Sequence, residues 1–233
     1  MRVLVLRPDD GAQRTAARLR VRGHEAICSP VMETIANRDP PPPGVFDGVI
    51  ATSAQAFAFA EASALHQFSG LPLMCVGART AEASREAGFA NLRIEAPDAA
   101  KLAQKITQSP DGLKRLLYLA GRDRKPGLEQ ALASAGFDVA PWVVYEARAV
   151  TALREETAQA LRAGAIDAAL HFSRRSAATF CKLAVAASLE REARDLLHIA
   201  ISADTSDGLS SLAPPRVRIA PSPDEAHMLD LLA

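Results

Sequence analysis

Aromatic residues make up only 5% of this 233-residue chain, with one tryptophan and two tyrosines. Aliphatic residues dominate instead, as in α/β proteins whose parallel strands are buried on both faces. Cysteine is scarce too: Cys28, Cys75 and Cys181 are odd in number, scattered, and set in apolar surroundings. That excludes a disulfide framework and predicts buried free thiols in a reducing compartment. No apolar run reaches the ~20 residues needed to span a bilayer. The chain enters a strand at once, so no leader is expected and the predicted location is cytoplasmic. Lys plus Arg and Asp plus Glu are balanced at 27 each. A chain without net charge offers no global field for nucleic acid or an anionic membrane.

Chemical signatures are missing as well. Five histidines and three cysteines show no ligand spacing, so no metal is expected. The stretch GRDRKPG from Gly121 has neither the dinucleotide-binding spacing nor the Gly-Lys-Ser/Thr ending of a P-loop. No Ser, His and Asp arrangement is evident, and His171 near Ser173 reads as a core strand residue. Paired catalytic carboxylates do not stand out either.

What the chain does have is a duplication. A strand and helix from Arg2, a strand–turn–helix from Phe46 and a third unit from Leu71 recur from Lys114 in the same order. Asp47–Ser53 (DGVIATS) matches Asp167–Ser173 (DAALHFS), and Thr80 matches Thr205. Six short apolar runs begin near Val3, Val49, Leu73, Leu116, Ala168 and Ile199, each followed by a turn and a helical pattern. This alternation predicts βα units around parallel sheets. Gly23, Gly88 and Gly136 mark expected helix stops. The proline run from Asp39 to Gly44 reads as one crossing between lobes, and Val143–Tyr145 as a second. A simple tandem cut falls near Lys114. If each copy exchanges its first unit, the N-terminal segment belongs instead with the C-terminal third, and the sequence leaves both arrangements open. Two such halves would enclose a cleft able to hold a large flexible ligand.

Ligands of open parallel sheets bind beyond the carboxyl ends of strands, where helix N-termini expose N–H groups. Ser53, Thr80, Ser173 and Thr205 stand at or near such corners at matched positions, although Ser and Thr also cap helices for stability alone. Arg7, Arg79, Arg122, Arg124, Lys125, Arg174 and Arg175 crowd the same corners. The helix dipole disfavours cations there, so an anionic ligand such as a polycarboxylate or phosphate is expected. Tyr145, at a crossing, is placed for its hydroxyl to reach a ligand.

At these residues the chain resembles the uroporphyrinogen-III synthase family across essentially its full length. The most specific stretch is LYLAGRDRKPGLEQAL from Leu117, continuing through Gly136 to Tyr145. DGVIATS from Asp47, VGARTA from Val76, and Phe172–Ser173 with Phe180 resemble further family signatures in matching order. The resemblance implies two similar flavodoxin-like α/β lobes with parallel sheets, joined by a two-stranded linker. The N-terminal segment would pack with the C-terminal lobe: 1–31 plus 150–233 as one lobe, 37–140 as the other, and 32–36 and 141–149 as linker strands.

The implied reaction closes hydroxymethylbilane to uroporphyrinogen III, with loss of water and inversion of the terminal pyrrole ring. Loss of the hydroxyl leaves an azafulvene that closes unaided to the uninverted isomer, so the enzyme's work is mainly positioning. By resemblance Tyr145 is the catalytic residue assisting departure of the hydroxyl, and Ser53, Thr80, Ser173 and Thr205 line the substrate site. Main-chain N–H groups near Gly77, Ser53 and Ser173 would hold its carboxylates. The cations expected beside them, Arg7, Arg122, Lys125 and Arg174, are read from the corners of this chain, since the family has no one fixed arginine set. Ser202 stands where the family commonly has glycine, which weakens the assignment of Thr205. No cofactor is implied. The expected partner is the small-molecule substrate, with a transient contact with hydroxymethylbilane synthase left open and a monomer expected. The alternative is a non-catalytic tetrapyrrole or polycarboxylate sensor of the same fold. A periplasmic-type binding protein is weaker still.

Overall fold

Each of the six aliphatic runs becomes a strand, because a parallel sheet covered on both faces takes mainly apolar side chains. The computed structural model describes residues 1–109 and 112–232, with the side chains of Asp9 and Asp10 outside that description. β1 (Arg2–Val5), α1 (Asp9–Val21), β2 (Glu25–Cys28) and β3 (Met32–Ala36) come first. Then follow β4 (Gly48–Ala51), α2 (Gln55–Phe59), α3 (Ala62–His66), β5 (Leu73–Val76), α4 (Ala78–Glu86) and β6 (Leu92–Ala96). Next are α5 (Ala99–Thr107), β7 (Arg115–Gly121), α6 (Gly127–Ser134) and the long β8 (Asp138–Ala149). The chain continues through α7 (Glu155–Arg162), β9 (Ala168–His171), α8 (Arg174–Ala186) and α9 (Glu190–Arg194). It ends with β10 (Leu197–Ala200), α10 (Ala203–Asp207), β11 (Val217–Ile219) and α11 (Glu225–Asp230). Gly23, Gly88 and Gly136 follow α1, α4 and α6 with φ of +77°, +89° and +86°.

Two compact units result. Unit 1 is Met1–Glu33 with Arg148–Ala233, and unit 2 is Thr34–Ala147. Lys114 therefore lies inside unit 2, and no tandem cut falls there. The proline run is also inside unit 2 rather than at a crossing; β3 and β8 carry the chain over the two boundaries. Proline cannot donate to a sheet ladder, so side chains tie the run down. Trp142 Nε1 donates to the Asp39 carbonyl at 2.9 Å, and the Arg115 guanidinium donates to that of Pro43 at 3.1 Å.

The sheet of unit 1 runs β11-β10-β9-β1-β2, with parallel neighbours throughout. Numbered along the chain this is the doubly wound order 2-1-3-4-5. The sheet of unit 2 has six strands in the order β6-β5-β4-β7-β8-β3, and the first five repeat that arrangement, with β7 and β8 in the places of β1 and β2. The first unit of each copy has thus been exchanged. Registers confirm the equivalence: Val5 lies opposite Leu170, and Tyr118 opposite Ile50. The same fastening is used twice. Asp167 accepts the Arg2 N–H, and Asp47 accepts those of Lys114 and Arg115. The two N–H groups hold the Asp47 carboxyl below its usual range.

In unit 2 side chains alternate between two cores. Val49, Leu73, Cys75, Leu117, Leu119 and Val144 meet Phe57, Phe89 and Trp142 on one face. Ile50, Met74, Leu116 and Tyr118 meet Leu102, Ile106, Leu128 and Leu132 of α5 and α6 on the other. Full burial of each such aliphatic side chain contributes about 1.5–3 kcal/mol. The helix α5 begins because the Asp98 side chain accepts the Lys101 N–H at 2.8 Å. In unit 1, Val3, Val5, Leu170 and Ile199 pack on Leu19 of α1 and Met228 and Leu229 of α11. Among the described residues, no helix is long and apolar enough to cross a membrane.

Candidate functional site

Each sheet reverses its winding once, between β4 and β7 in unit 2 and between β1 and β9 in unit 1. Ligands of doubly wound folds bind at that switch point, beyond the carboxyl ends of the strands. In unit 2 the adjoining corners are Thr52–Ser53 after β4 and Gly121–Arg122 at the end of β7. Gly77 follows β5 one strand further on, and Tyr145 stands in β8 beside Gly121.

Tyr145 is fixed from several sides. Its carbonyl accepts the Arg122 N–H at 2.9 Å, and its ring lies 6.0 Å from that of Phe59. The ring occupies the space above Gly121, where a Cβ would come within 2.6 Å of it. Half-buried, it makes no hydrogen bond through its hydroxyl among the described residues, so the O–H is available to a ligand.

Gly77 starts α4 with φ +77°, a conformation that favours glycine, and no side chain caps the helix. Its carbonyl accepts the Thr80 and Ala81 N–H groups, and its own N–H donates to the Ala96 carbonyl at 2.9 Å. Thr80 itself is buried, at 4% exposure. Ser53 is half-buried and accepts the Gln55 N–H at 3.3 Å.

Unit 1 repeats the arrangement with different chemistry. Ser173 is the exposed N-cap of α8 and accepts the Ser176 N–H at 3.2 Å, while Ser176 reaches the Leu6 carbonyl beside Arg7. The Arg7 guanidinium stacks 4.3 Å above the Phe172 ring, and burial lowers its pKa from the ordinary value, partly countered by Glu225. Ser202 caps α10 where Gly77 leaves α4 uncapped, and its hydroxyl takes the Thr205 N–H at 3.2 Å. Thr205 is buried, at 2% exposure. Ser53 and Ser173 therefore face solvent at least in part, whereas Thr80 and Thr205 are closed off from it.

The crowding of cations has an explanation within the chain. Arg7 pairs with Glu225 at 3.5 Å, Arg124 with Glu129 at 2.6 Å, and Arg174 with Asp204 at 3.3 Å. Arg122 pairs with Glu146. These carboxylates, rather than an obligatory external anion, offset the unfavourable dipoles. The Arg122 and Arg174 pairs are exposed and worth at most ~1 kcal/mol each, so a ligand carboxylate can replace either partner. Arg7 and Glu225 are more enclosed and more firmly held. Lys125 is exposed, has no ion pair among the described residues, and lines a groove between α5 and α6 with Ala103 and Leu128.

One part of the site escaped the sequence. Tyr118, at 3% exposure, joins its hydroxyl to Thr52 Oγ1 at 2.9 Å, directly across the switch point of unit 2. The available signal was a tyrosine in an otherwise aliphatic strand, since a buried phenol needs a polar partner.

Doubly wound sheets with hydroxyls, helix starts and paired guanidiniums at their switch points define a two-unit doubly wound α/β protein. A model of uroporphyrinogen-III synthase HemD matches residues 13–230, nearly the whole chain, and the chain belongs to the uroporphyrinogen-III synthase family. The uroporphyrinogen-III synthetase of Helicobacter pylori 26695 has a similar fold. It is 17% identical with a TM-score of 0.60, over 100% of this chain and 98% of that one. A mutant uroporphyrinogen III synthase from the extremely thermophilic bacterium Thermus thermophilus is 19% identical with a TM-score of 0.48, over 100% and 96%. No curated protein matches the chain.

Proposed function

We propose that this protein closes hydroxymethylbilane to uroporphyrinogen III, with its strand-end corners holding the substrate and Tyr145 assisting loss of the hydroxyl. The family match over residues 13–230 is the observation that carries the reading. The phenol of Tyr145 donates to the departing oxygen, which leaves as water when the azafulvene forms. In unit 2, Ser53, Gly77, Thr80, Arg122 and Lys125 serve the acetate and propionate groups; in unit 1, Arg7, Ser173, Arg174 and Thr205 do so. Thr80 and Thr205, being buried, act by shaping their helix starts rather than by touching substrate. Helix starts and guanidiniums suit carboxylates because both supply donors in fixed directions. The protein works as a monomer in the cytoplasm and takes its substrate from hydroxymethylbilane synthase.

The test is isomer analysis. Hydroxymethylbilane is generated in situ, exposed to the protein, oxidised, and resolved chromatographically into uroporphyrins I and III. Enrichment of isomer III over a protein-free control is expected. Isomer I alone from folded protein would replace this reading with that of a tetrapyrrole sensor.

A further inference from the structure

The two copies of the duplicated fold differ in one telling place. Residue 118 faces Ile50 in register as Val5 faces Leu170, and Thr52 stands in the position of Phe172. In unit 1 this pair is therefore Val5 and Phe172, and the switch point there is apolar beneath the Arg7 guanidinium. In unit 2 it is Tyr118 and Thr52, joined hydroxyl to hydroxyl at 2.9 Å. A buried hydroxyl without a partner costs roughly 1–3 kcal/mol, so each of these two groups fixes the other.

What they fix is the corner that follows β4. Tyr118 is anchored in the core with Ile50, Met74 and Leu116, so its oxygen is a stationary point at the end of the sheet. Thr52 is the residue immediately before Ser53, and pinning its Oγ1 sets the peptide that aims the Ser53 hydroxyl and the N–H groups beyond it. The other side of the crevice is braced through the same tyrosine. The Arg124 guanidinium lies 6.0 Å from the Tyr118 ring, pairs with Glu129, and donates to the Gly121 carbonyl at 3.3 Å. Gly121 in turn lies beneath Tyr145.

We propose that Tyr118, acting through Thr52, is a positioning residue that sets the Thr52–Ser53 corner against the substrate and so governs which isomer is formed. The proposal rests on the reading that this corner holds substrate. Tyr118 touches no reacting atom. Its effect is on direction: a loosened corner lets the azafulvene close by the unaided route to the uninverted product.

The experiment compares Tyr118→Phe, Thr52→Val, the double variant, Thr52→Ser and Ser53→Ala with the parent protein. Initial rates, KM, the III-to-I ratio and the melting temperature are measured for each. Tyr118→Phe and Thr52→Val are each expected to lower kcat/KM about five- to tenfold, the worth of one hydrogen bond. Isomer I should rise in both, the double variant should be no worse than either single, and Thr52→Ser should recover the isomer ratio. A lower melting temperature with unchanged kcat/KM and isomer ratio would overturn the proposal, because it is what a purely structural bond gives. Ser53→Ala separates the two levels. If it impairs turnover while Tyr118→Phe does not, only the positioning role fails; if neither impairs turnover, the corner is not the substrate site and both readings fall.

Discussion

The phenol ring of Tyr145 fills the space that a side chain at position 121 would need. A Cβ on Gly121 would stand 2.6 Å from Cε2, 2.7 Å from Cζ and 2.9 Å from the hydroxyl oxygen. The glycine is thus part of the tyrosine's seat. Gly121→Ala should push the ring from its place and lower kcat by at least about tenfold, while overpacking costs about 1–3 kcal/mol of stability. Steady-state kinetics beside a denaturant titration would show whether activity falls further than folding does.

Tyr145→Phe removes only the oxygen and keeps the ring packed on Gly121 and Phe59. It should reduce kcat with little change in KM, because the hydroxyl is assigned to departure of the leaving group and not to binding. A variant with near-parental kcat would take Tyr145 out of the mechanism. Equal loss in kcat/KM and kcat would mark the bond as one made in the transition state.

His171 and His198 form a buried chain with a fixed direction. His198 Nε2 meets the Ala193 carbonyl at 2.9 Å, and its Nδ1 meets His171 Nε2 at 2.9 Å. A carbonyl only accepts, so His198 carries its proton on Nε2 and His171 donates from its own Nε2. His171 Nδ1 is left buried and without a partner. Burial lowers both pKa values from the ordinary 6.5, with His198 lowering that of His171 further and Arg216 that of His198. The unfolded chain therefore takes up protons near pH 6.5 that the folded protein refuses. Stability from this pair is fully present above that pH and declines as pH falls towards the folded values, by up to ~1.4 kcal/mol per pH unit for each ring. Urea titrations from pH 7.5 to 5.5 should show the slope, and replacing both histidines by leucine should flatten it.

Burial pushes the Cys75 thiol up to about 11, with Glu95 adding to the effect. Cys181 is raised as well by burial. Neither has much thiolate at pH 8, so both should resist iodoacetamide in the native protein while Cys28, half-buried, reacts first. Peptide mass spectrometry before and after guanidinium treatment would check this. Rapid native labelling of Cys75 would mean that the sheet of unit 2 opens far more readily than its packing suggests.

Strand positions were plain in the sequence because parallel strands are aliphatic runs that few other elements imitate. The exchange of first units could be suspected from the duplication but not decided, since strand pairing is a long-range choice that no local pattern encodes. The proline run misled for the same reason: it looks like a boundary, and its ties inside unit 2 come from Trp142 and Arg115, which are distant along the chain. The cations were read correctly as clustered at corners, yet Glu146, Glu225 and Asp204 reach them from other elements and were invisible as partners. Tyr118 needed the register with Ile50 before its partner could be named.

The exchanged first strand also dictates the order in which the protein can be made. Residues 34–147 contain β4 to β7 whole and most of β3 and β8, and emerge from the ribosome as one uninterrupted stretch. Val3 must wait for Ala168, and β9 in turn for β10. During synthesis β1 is an unpaired edge on the side that β9 will cover, while the middle of the chain already has all its sequence available to fold. Pairing over such separations is slow and leaves sticky surface exposed. A polypeptide released before β9 would keep unit 2 and lose unit 1, including the segment that was made first.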